Sequence, residues 1–126
     1  MGSIRFKTID AEFLYSFPKT ANDLRTIVWA YTFINRTGPP TYEELTSCLT
    51  NGLRVGIIRQ EGEKFIIDDN WYDRIHMSDD TAENEIDSML EFEDGFVNMD
   101  FNETNNTVCT LTEVEYKSIL AKLRQV

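Results

Sequence analysis

Hydrophobic residues recur three and four positions apart in the first half of the chain, the spacing that places them along one face of an α-helix. The strongest run covers residues 22–35, where the stripe consists of Leu24, Ile27, Val28, Tyr31 and Ile34 and is widened by Trp29 and Phe33. We expect this helix at the centre of the core, with Trp29 and Ile34 buried. A shorter run at 9–17 predicts a first helix, which Pro18 ends.

A third helix is predicted at 41–55, with signals at both ends. Thr41 and Glu44 have the spacing of a capping box, in which each side chain accepts a hydrogen bond from the other residue's backbone amide. Gly56 suits the left-handed conformation that follows many helices. The inward stripe is Leu45, Cys48, Leu49 and Leu53. We expect Leu49, Leu53 and the following Ile57 to share the core of the second helix.

The pattern changes from helix to strand after Gly56. Residues 57–60 and 64–67 are rich in β-branched or aromatic residues, and they lie on either side of Glu61 and Gly62. This arrangement predicts a β-hairpin whose tight turn is formed by Glu61 and Gly62.

The second half of the chain predicts a short helical turn, a longer helix, two strands and a final helix. The helical stripes are Trp71, Tyr72 and Ile75 in a turn capped by Asp69, then Ile86, Met89 and Leu90 in a helix from Ser78 or Asp80 to Gly95. Asp79, Asp80 and Glu83 fall in the first turn of that helix, where the helix dipole favours negative charge.

Alternation of apolar and polar residues at 97–101 predicts a strand, and residues 108–111 are its expected neighbour. Thr112 and Glu115 repeat the capping-box spacing, so they predict the start of a final helix along Tyr116, Ile119, Leu120 and Leu123. Lys122 and Arg124 are expected in its last turn. Together these elements predict an α+β fold in one domain.

The order of helices at 9–17, 22–36 and 41–55, followed by a hairpin that ends at residue 68, resembles a winged-helix (winged helix-turn-helix) domain. The resemblance covers about half of the chain, residues 9–68. It implies a three-helix core with a β-hairpin wing, to which residues 69–126 add an acidic helix-strand-helix extension.

In that family the third helix enters the DNA major groove and the wing lies over the backbone. The resemblance therefore implies DNA contacts for Thr46, Ser47, Thr50, Arg54, Arg59 and Lys64, with Tyr42 and Glu43 on the same surface. Glu43 and Glu44 lie at the start of this helix, and Glu61 and Glu63 flank the wing tip. Because carboxylates repel phosphates, we expect nucleic-acid binding to be weak or absent.

Charge is distributed unequally between the two halves. Residues 1–66 contain eight Lys/Arg and seven Asp/Glu, whereas residues 67–126 contain four and fifteen, which gives the net charge of −10. Thirteen acids but only one base, Arg74, lie between residues 68 and 103. Such a segment favours a basic partner, and we expect Glu83, Asp87, Glu91 and Asp94 to form the binding surface. A solvated face without a partner explains the same composition.

No pattern in the sequence predicts catalysis, a cofactor or a metal site. His76 is the single histidine, and neither Cys48 nor Cys109 has a metal-ligand spacing to it. The cysteines fall in a predicted helix and a predicted strand, so we expect buried free thiols, and His76 is expected to be hydrogen-bonded or exposed. The chain also lacks a Gly-rich phosphate loop.

Two function classes rank ahead of a third, an uncharacterised enzyme subunit or small-ligand binder. The first is a non-catalytic protein-interaction module with an acidic surface for a basic protein partner, and the alternative is a winged-helix DNA-binding transcriptional regulator. No apolar run approaches the ~20 residues that span a bilayer, and the first residues lack a signal-peptide pattern. We therefore expect a cytoplasmic protein without membrane contact. The sequence leaves the oligomeric state open, including a homodimer, and also the binding of a small ligand or cation.

Overall fold

The computed structural model describes residues 2–35 and 38–123, and for Asn35 the backbone alone. The elements in chain order are β1 (Ser3–Ile4), α1 (Thr8–Tyr15), β2 (Asn22–Asp23), α2 (Leu24–Asn35), α3 (Tyr42–Val55), β3 (Ile58–Glu61), β4 (Lys64–Ile67), α4 (Asp69–Ile75), α5 (Glu85–Phe96), β5 (Phe101–Asn102) and α6 (Glu113–Leu123). These helices and small antiparallel sheets confirm the α+β class. Arg124, expected in the last turn of α6, lies outside the described residues.

The predicted hairpin is present and has a third strand beside it. β3 and β4 pair antiparallel, and β2 adds to the other side of β4, so the sheet has the order β2-β4-β3. Glu61 pairs with Lys64, which makes Gly62 and Glu63 the two turn residues. The prediction that Glu61 and Gly62 form the turn was wrong by one position, because the positive φ of Gly62 (63°) is needed at the first residue of the turn.

Helix α3 begins and ends where the sequence predicts, and it buries the predicted side. The Glu44 amide donates to Thr41 Oγ1 at 3.1 Å, and the Thr41 amide donates to Glu44 Oε1 at 2.9 Å. Gly56 is left-handed, with φ of 83°. The inward residues Leu45, Cys48, Leu49 and Leu53 are all buried. Gly52 faces the sheet, where a Cβ atom would overlap the Ile58 side chain, and this close approach explains a glycine within the helix.

Helix α2 is turned differently from the prediction. Ile27, Val28 and Tyr31 are buried against the core, but Trp29 is 50% exposed and Phe33 64% exposed. The two exposed rings stack on each other, with centroids 5.3 Å apart and planes at 14°. The prediction that Trp29 is buried was therefore wrong, because the buried stripe of α2 runs through Ile27, Val28 and Tyr31 and Trp29 lies outside it. Ile34, also expected in the core, is half-buried.

The region before α5 contains turns where the sequence predicted helix. Asn84 caps α5 by accepting a hydrogen bond from the Asp87 amide at 2.9 Å, so the helix begins at Glu85 and not at Ser78 or Asp80. It continues through Gly95 to Phe96. Asp68, and not Asp69, caps α4, because its carboxylate accepts from the Trp71 amide.

The predicted strands at 97–101 and 108–111 were largely wrong. Only Phe101 and Asn102 pair, and their partner is the short strand β1. Residues 103–112 contain no strand and are fixed to α3 by side-chain hydrogen bonds, which leaves no ladder for residues 108–111 to join. The second capping box is confirmed, since the Glu115 amide donates to Thr112 Oγ1 and the Thr112 amide to Glu115 Oε1. Tyr116 of α6 is buried.

Candidate functional site

The acidic residues predicted to bind a partner lie on or just before α5. One face of this helix is buried through Ser88, Met89 and Phe96, and the helix packs on α1. Asp87, Glu91 and Asp94 are four and three residues apart, so they lie together on the opposite face. Glu91 and Asp94 are exposed and Asp87 is half-buried. We call Asp87, Glu91 and Asp94 the acidic ridge.

Glu83 is exposed in the turns that precede α5 and is not part of the ridge. Within the described ranges, no ion pair involves Glu83 or any residue of the acidic ridge. The ridge therefore presents negative charge that no neighbouring Lys or Arg of the described chain neutralises by direct contact.

Apolar side chains lie on one flank of the acidic ridge. Ile86 is 56% exposed and Leu90 50% exposed, although the sequence pattern groups both with Met89 along the helix. They are four residues apart and thus form an adjacent stripe on the outer part of α5. Of the three apolar residues along the helix, Met89 alone is buried, because Ile86 and Leu90 lie outside the side of α5 that packs on the core.

A small cleft of about 170 Å³ lies on the other flank of the ridge, between α4, the turn after it and α5. Its apolar lining consists of Trp71, Ile75, Met77, Phe92, Phe96 and Met99. Two exposed charged residues, Arg74 and Glu91, also line it, and the Arg74 guanidinium lies 4.2 Å from the centroid of the Trp71 ring. The acidic segment thus contains an apolar recess next to exposed carboxylates of the ridge.

A hydrogen-bonded cluster around Asp79 fixes α5 to α1 and to the turn after α4. Asp79 Oδ1 accepts from the hydroxyls of Tyr15 at 2.7 Å and Ser88 at 2.6 Å, and His76 Nδ1 lies 3.0 Å from Oδ2. The His76 ring contacts the rings of Tyr15 and Tyr72, each with its centroid 4.5 Å away. The prediction that His76 is hydrogen-bonded or exposed is confirmed by its contact with Asp79.

The pKa values of the cluster follow from these contacts. Burial alone would raise the pKa of Asp79, but hydrogen bonds from Ser88 and Tyr15 and the nearby His76 outweigh it and lower the pKa below its usual value. Burial, together with the Asp79 carboxylate, raises the pKa of Tyr15 to about 12. Ser88 is 1% exposed and donates to the carboxylate and not to His76, which is unlike a serine nucleophile activated by histidine.

Sequence reasoning missed this cluster because Asp79 was assigned to a helix dipole. Asp79 lies in the turns before α5, where its side chain reaches residues nine and sixty-four positions away. The sequence shows that Asp79 is a polar residue near a predicted helix start. It does not show that Tyr15, sixty-four positions earlier, is its partner.

The helix residues that the winged-helix resemblance offers to DNA are partly engaged by the chain itself. Thr50 Oγ1 accepts from the Cys109 amide at 3.0 Å, and Arg54 Nε donates to the Thr107 carbonyl at 2.9 Å. Thr104 donates to the Arg54 carbonyl through both its amide and its hydroxyl. Residues 103–109 therefore cover the C-terminal half of this face of α3.

The remaining residues of that surface differ in their exposure. Thr46 donates its hydroxyl proton to the Tyr42 carbonyl within the helix, whereas Ser47 is exposed. Arg59 and Lys64 of the hairpin are exposed, and Arg59 lies 3.9 Å from Glu61. The basic side chains of the hairpin remain accessible, but they alternate with carboxylates.

A larger groove of about 690 Å³ lies between the hairpin, the start of α2 and α6. Its size falls in the range of about 300–1,000 Å³ for small-molecule sites. However, its charged lining residues, Asp23, Arg25, Glu63, Glu115 and Lys122, are all exposed. A groove whose polar groups are already hydrated offers little discrimination between ligands, so it is the weaker candidate.

Both cysteines are buried free thiols, as predicted. Burial raises the pKa of the Cys48 thiol well above its usual value, and it also raises that of Cys109. Within residues 2–35 and 38–123, no three His, Cys, Asp or Glu side chains are grouped closely enough to bind a metal ion. None of the described helices has the length and apolar content needed to span a bilayer.

Comparisons of the chain with protein-family models, with curated proteins and with solved structures give no significant match.

Proposed function

We propose that this protein is a non-catalytic interaction module that presents the acidic ridge of α5 to a basic protein partner. The observation that carries the proposal is the row of exposed Glu91 and Asp94 and half-buried Asp87, none of which forms an ion pair within the described chain. Because these carboxylates form no internal ion pair, a basic partner does not have to displace a Lys or Arg of the described chain to reach them. A field of this kind steers basic partners and suppresses acidic ones.

The rigid mounting of α5 supports this function. The Asp79 cluster and the packing on α1 position the ridge before a partner arrives, so less conformational entropy is lost on binding. The apolar pair Ile86 and Leu90 adds to the same outer surface, and apolar contacts supply affinity that surface ion pairs alone do not.

The alternative is that the order of α1, α2, α3 and the β3–β4 hairpin reflects a winged-helix DNA-binding regulator. Exposed Arg59 and Lys64 favour it. The bonds that residues 103–109 make to Thr50 and Arg54 weigh against it, because a recognition helix must present these positions to base edges. We therefore rank the regulator second.

A pull-down from native lysate tests the proposal. The test variant carries Lys at Glu83, Asp87, Glu91 and Asp94, and the control carries Lys at four exposed acids elsewhere, Glu43, Glu61, Glu63 and Glu113. Each Asp/Glu→Lys change adds two positive charges, so both variants have a net charge of −2 instead of −10.

We expect the test variant to lose the proteins that the wild type captures and the control to keep them. Raising the salt concentration so that the screening length falls well below ~8 Å should weaken the wild-type capture. If both variants capture the same set as the wild type at low and high salt, the ridge is a solubility surface and the proposal is wrong.

A further inference from the structure

Gly95 is a glycine in the last turn of α5 that the protein's own structure does not require. Its φ is not in the left-handed region, and among the described residues a Cβ atom there would meet nothing within 4 Å. Glycine in a helix is less favourable than alanine by about 1 kcal/mol. Gly95 lines the 170 Å³ cleft beside the acidic ridge, so the missing side chain leaves that cleft open.

The size of the cleft indicates what it can hold. At about 170 Å³ it is smaller than the range of about 300–1,000 Å³ typical of small-molecule sites. An apolar cavity of about 150 Å³ accepts a benzene molecule. The cleft therefore fits one apolar side chain of the size of phenylalanine, and its lining of Trp71, Phe92, Phe96 and Met99 suits such a group.

The charges around the cleft indicate what carries that side chain. Glu91 lines the cleft, while Asp87 and Asp94 lie on the same ridge, and the one base of the acidic segment, Arg74, is stacked on Trp71. A segment that runs along α5 into the cleft passes beside this ridge. Lysine or arginine residues on either side of the anchor complement the carboxylates, whereas acidic residues there are repelled.

We infer that this cleft is the anchor site for the partner: it takes one apolar side chain from a lysine- or arginine-rich segment, whose basic residues lie on the acidic ridge. The inference rests on the proposed function and makes it more specific. Exposed Met77 at the cleft adapts to anchors of different shape, because its side chain is flexible and polarisable.

Three synthetic peptides test the inference with the full chain. They are an oligolysine, the same peptide with its central lysine replaced by phenylalanine, and an oligoglutamate with the same phenylalanine. The variants are Gly95→Leu, whose side chain fills the cleft, and Gly95→Ala, which gains the same helix propensity but is too short to fill it. Neither should melt below the wild type, because Gly95 has open space around it.

We expect the wild type to bind the phenylalanine-containing lysine peptide about tenfold more tightly than oligolysine, a difference of about 1.4 kcal/mol. Gly95→Leu should abolish this preference and leave the oligolysine affinity unchanged, while Gly95→Ala should keep the preference. The oligoglutamate peptide should not bind.

Other outcomes overturn the inference in distinguishable ways. Equal binding of both lysine peptides would exclude an apolar anchor but leave the acidic ridge as the binding surface. Equal binding of the lysine and glutamate peptides that contain phenylalanine would exclude a basic segment. A preference that survives in Gly95→Leu would place the anchor outside this cleft, and failure of every peptide to bind would contradict both the inference and the proposed function.

Discussion

Replacement of Asp79 by alanine should destabilise the protein, because its carboxylate contacts the side chains of Tyr15, Ser88 and His76. Tyr15 and Ser88 are buried, and both donate their hydroxyl protons to Asp79 Oδ1. A buried donor that loses its acceptor costs about 1–3 kcal/mol. Ser88 can instead donate to a carbonyl one helical turn earlier, and Asp79 itself is 44% exposed. Losing the acceptor for two buried hydroxyls would cost about 2–6 kcal/mol in total. Because of these two compensating factors, we expect Asp79→Ala to lower the free energy of unfolding by about 2 kcal/mol, the lower end of that range.

Urea unfolding followed by far-ultraviolet circular dichroism measures this loss by linear extrapolation. Asp80→Ala is the matched control, because Asp80 is exposed and adjacent. A surface substitution of that kind changes stability by less than about 0.5 kcal/mol. Asp79→Asn retains one carbonyl oxygen and should fall between the two. If Asp79→Ala is as stable as Asp80→Ala, the cluster does not hold α5 in place and the reasoning fails.

The Asp79 cluster also predicts how the stability of the protein changes with pH. The folded pKa of Asp79 is below its usual value of 3.8, although burial opposes the shift. Its stabilising contribution is therefore fully present above that usual value and is lost as the pH falls through the folded pKa. Burial raises the pKa of Asp10 and of Glu12, so these two groups change the stability with pH in the direction opposite to Asp79. The stability difference between wild type and Asp79→Asn removes their contribution, and it should shrink as the pH is lowered below about 4. A difference that is constant across this range would contradict the hydrogen-bonded carboxylate.

Three further outcomes follow from burial. Leu49→Ala should lower the free energy of unfolding in urea by roughly 2–5 kcal/mol, since Leu49 has no exposed surface. A loss below about 0.5 kcal/mol would contradict the placement of Leu49 on the buried side of α3. Trp29→Ala should cost less than Leu49→Ala, because half of Trp29 is already in solvent. A loss as large as that of Leu49→Ala would place Trp29 in the core. Cys48 should react with a thiol reagent only after unfolding, because burial keeps the thiol protonated and inaccessible; rapid labelling of native protein at Cys48 would exclude this.

Local signals made part of this fold predictable. The capping boxes at Thr41 and Thr112 and the left-handed Gly56 involve residues at most three positions apart, so the sequence alone specifies them. The positions of α1, α2, α3 and the hairpin follow from those signals and from hydrophobic spacing. The α+β class follows from the same information.

Which side of a helix faces the core was harder to predict than the helix itself. A three-and-four spacing identifies the apolar stripe of a helix but not how much of that stripe the neighbouring elements cover, and Trp29 was therefore assigned to the core although it is half exposed. The strand predicted at 108–111 failed for a related reason, since Thr50 of α3 binds the Cys109 backbone that a neighbouring strand would need.

The candidate site was predictable only in part. The sequence pointed to Glu83, Asp87, Glu91 and Asp94 through their acidity alone; the structure puts the last three on one face of α5 and leaves Glu83 in the turns before it. The cleft could not be predicted, because it arises where Trp71, Phe96 and Met99 meet across three segments. The Asp79 cluster likewise depends on Tyr15, which is distant in the chain.

The most direct test of the central claim is a map of the surface that a basic segment contacts. Backbone amide chemical shifts of the full chain are recorded while the lysine peptide with a central phenylalanine is added. We expect the largest changes at Asp87, Glu91, Asp94 and Gly95, followed by the α4 side of the cleft, and we expect them to diminish at high salt. Changes centred on the exposed pair Trp29 and Phe33, or on the exposed face of α3 around Ser47, would contradict the assignment of the acidic ridge as the binding surface.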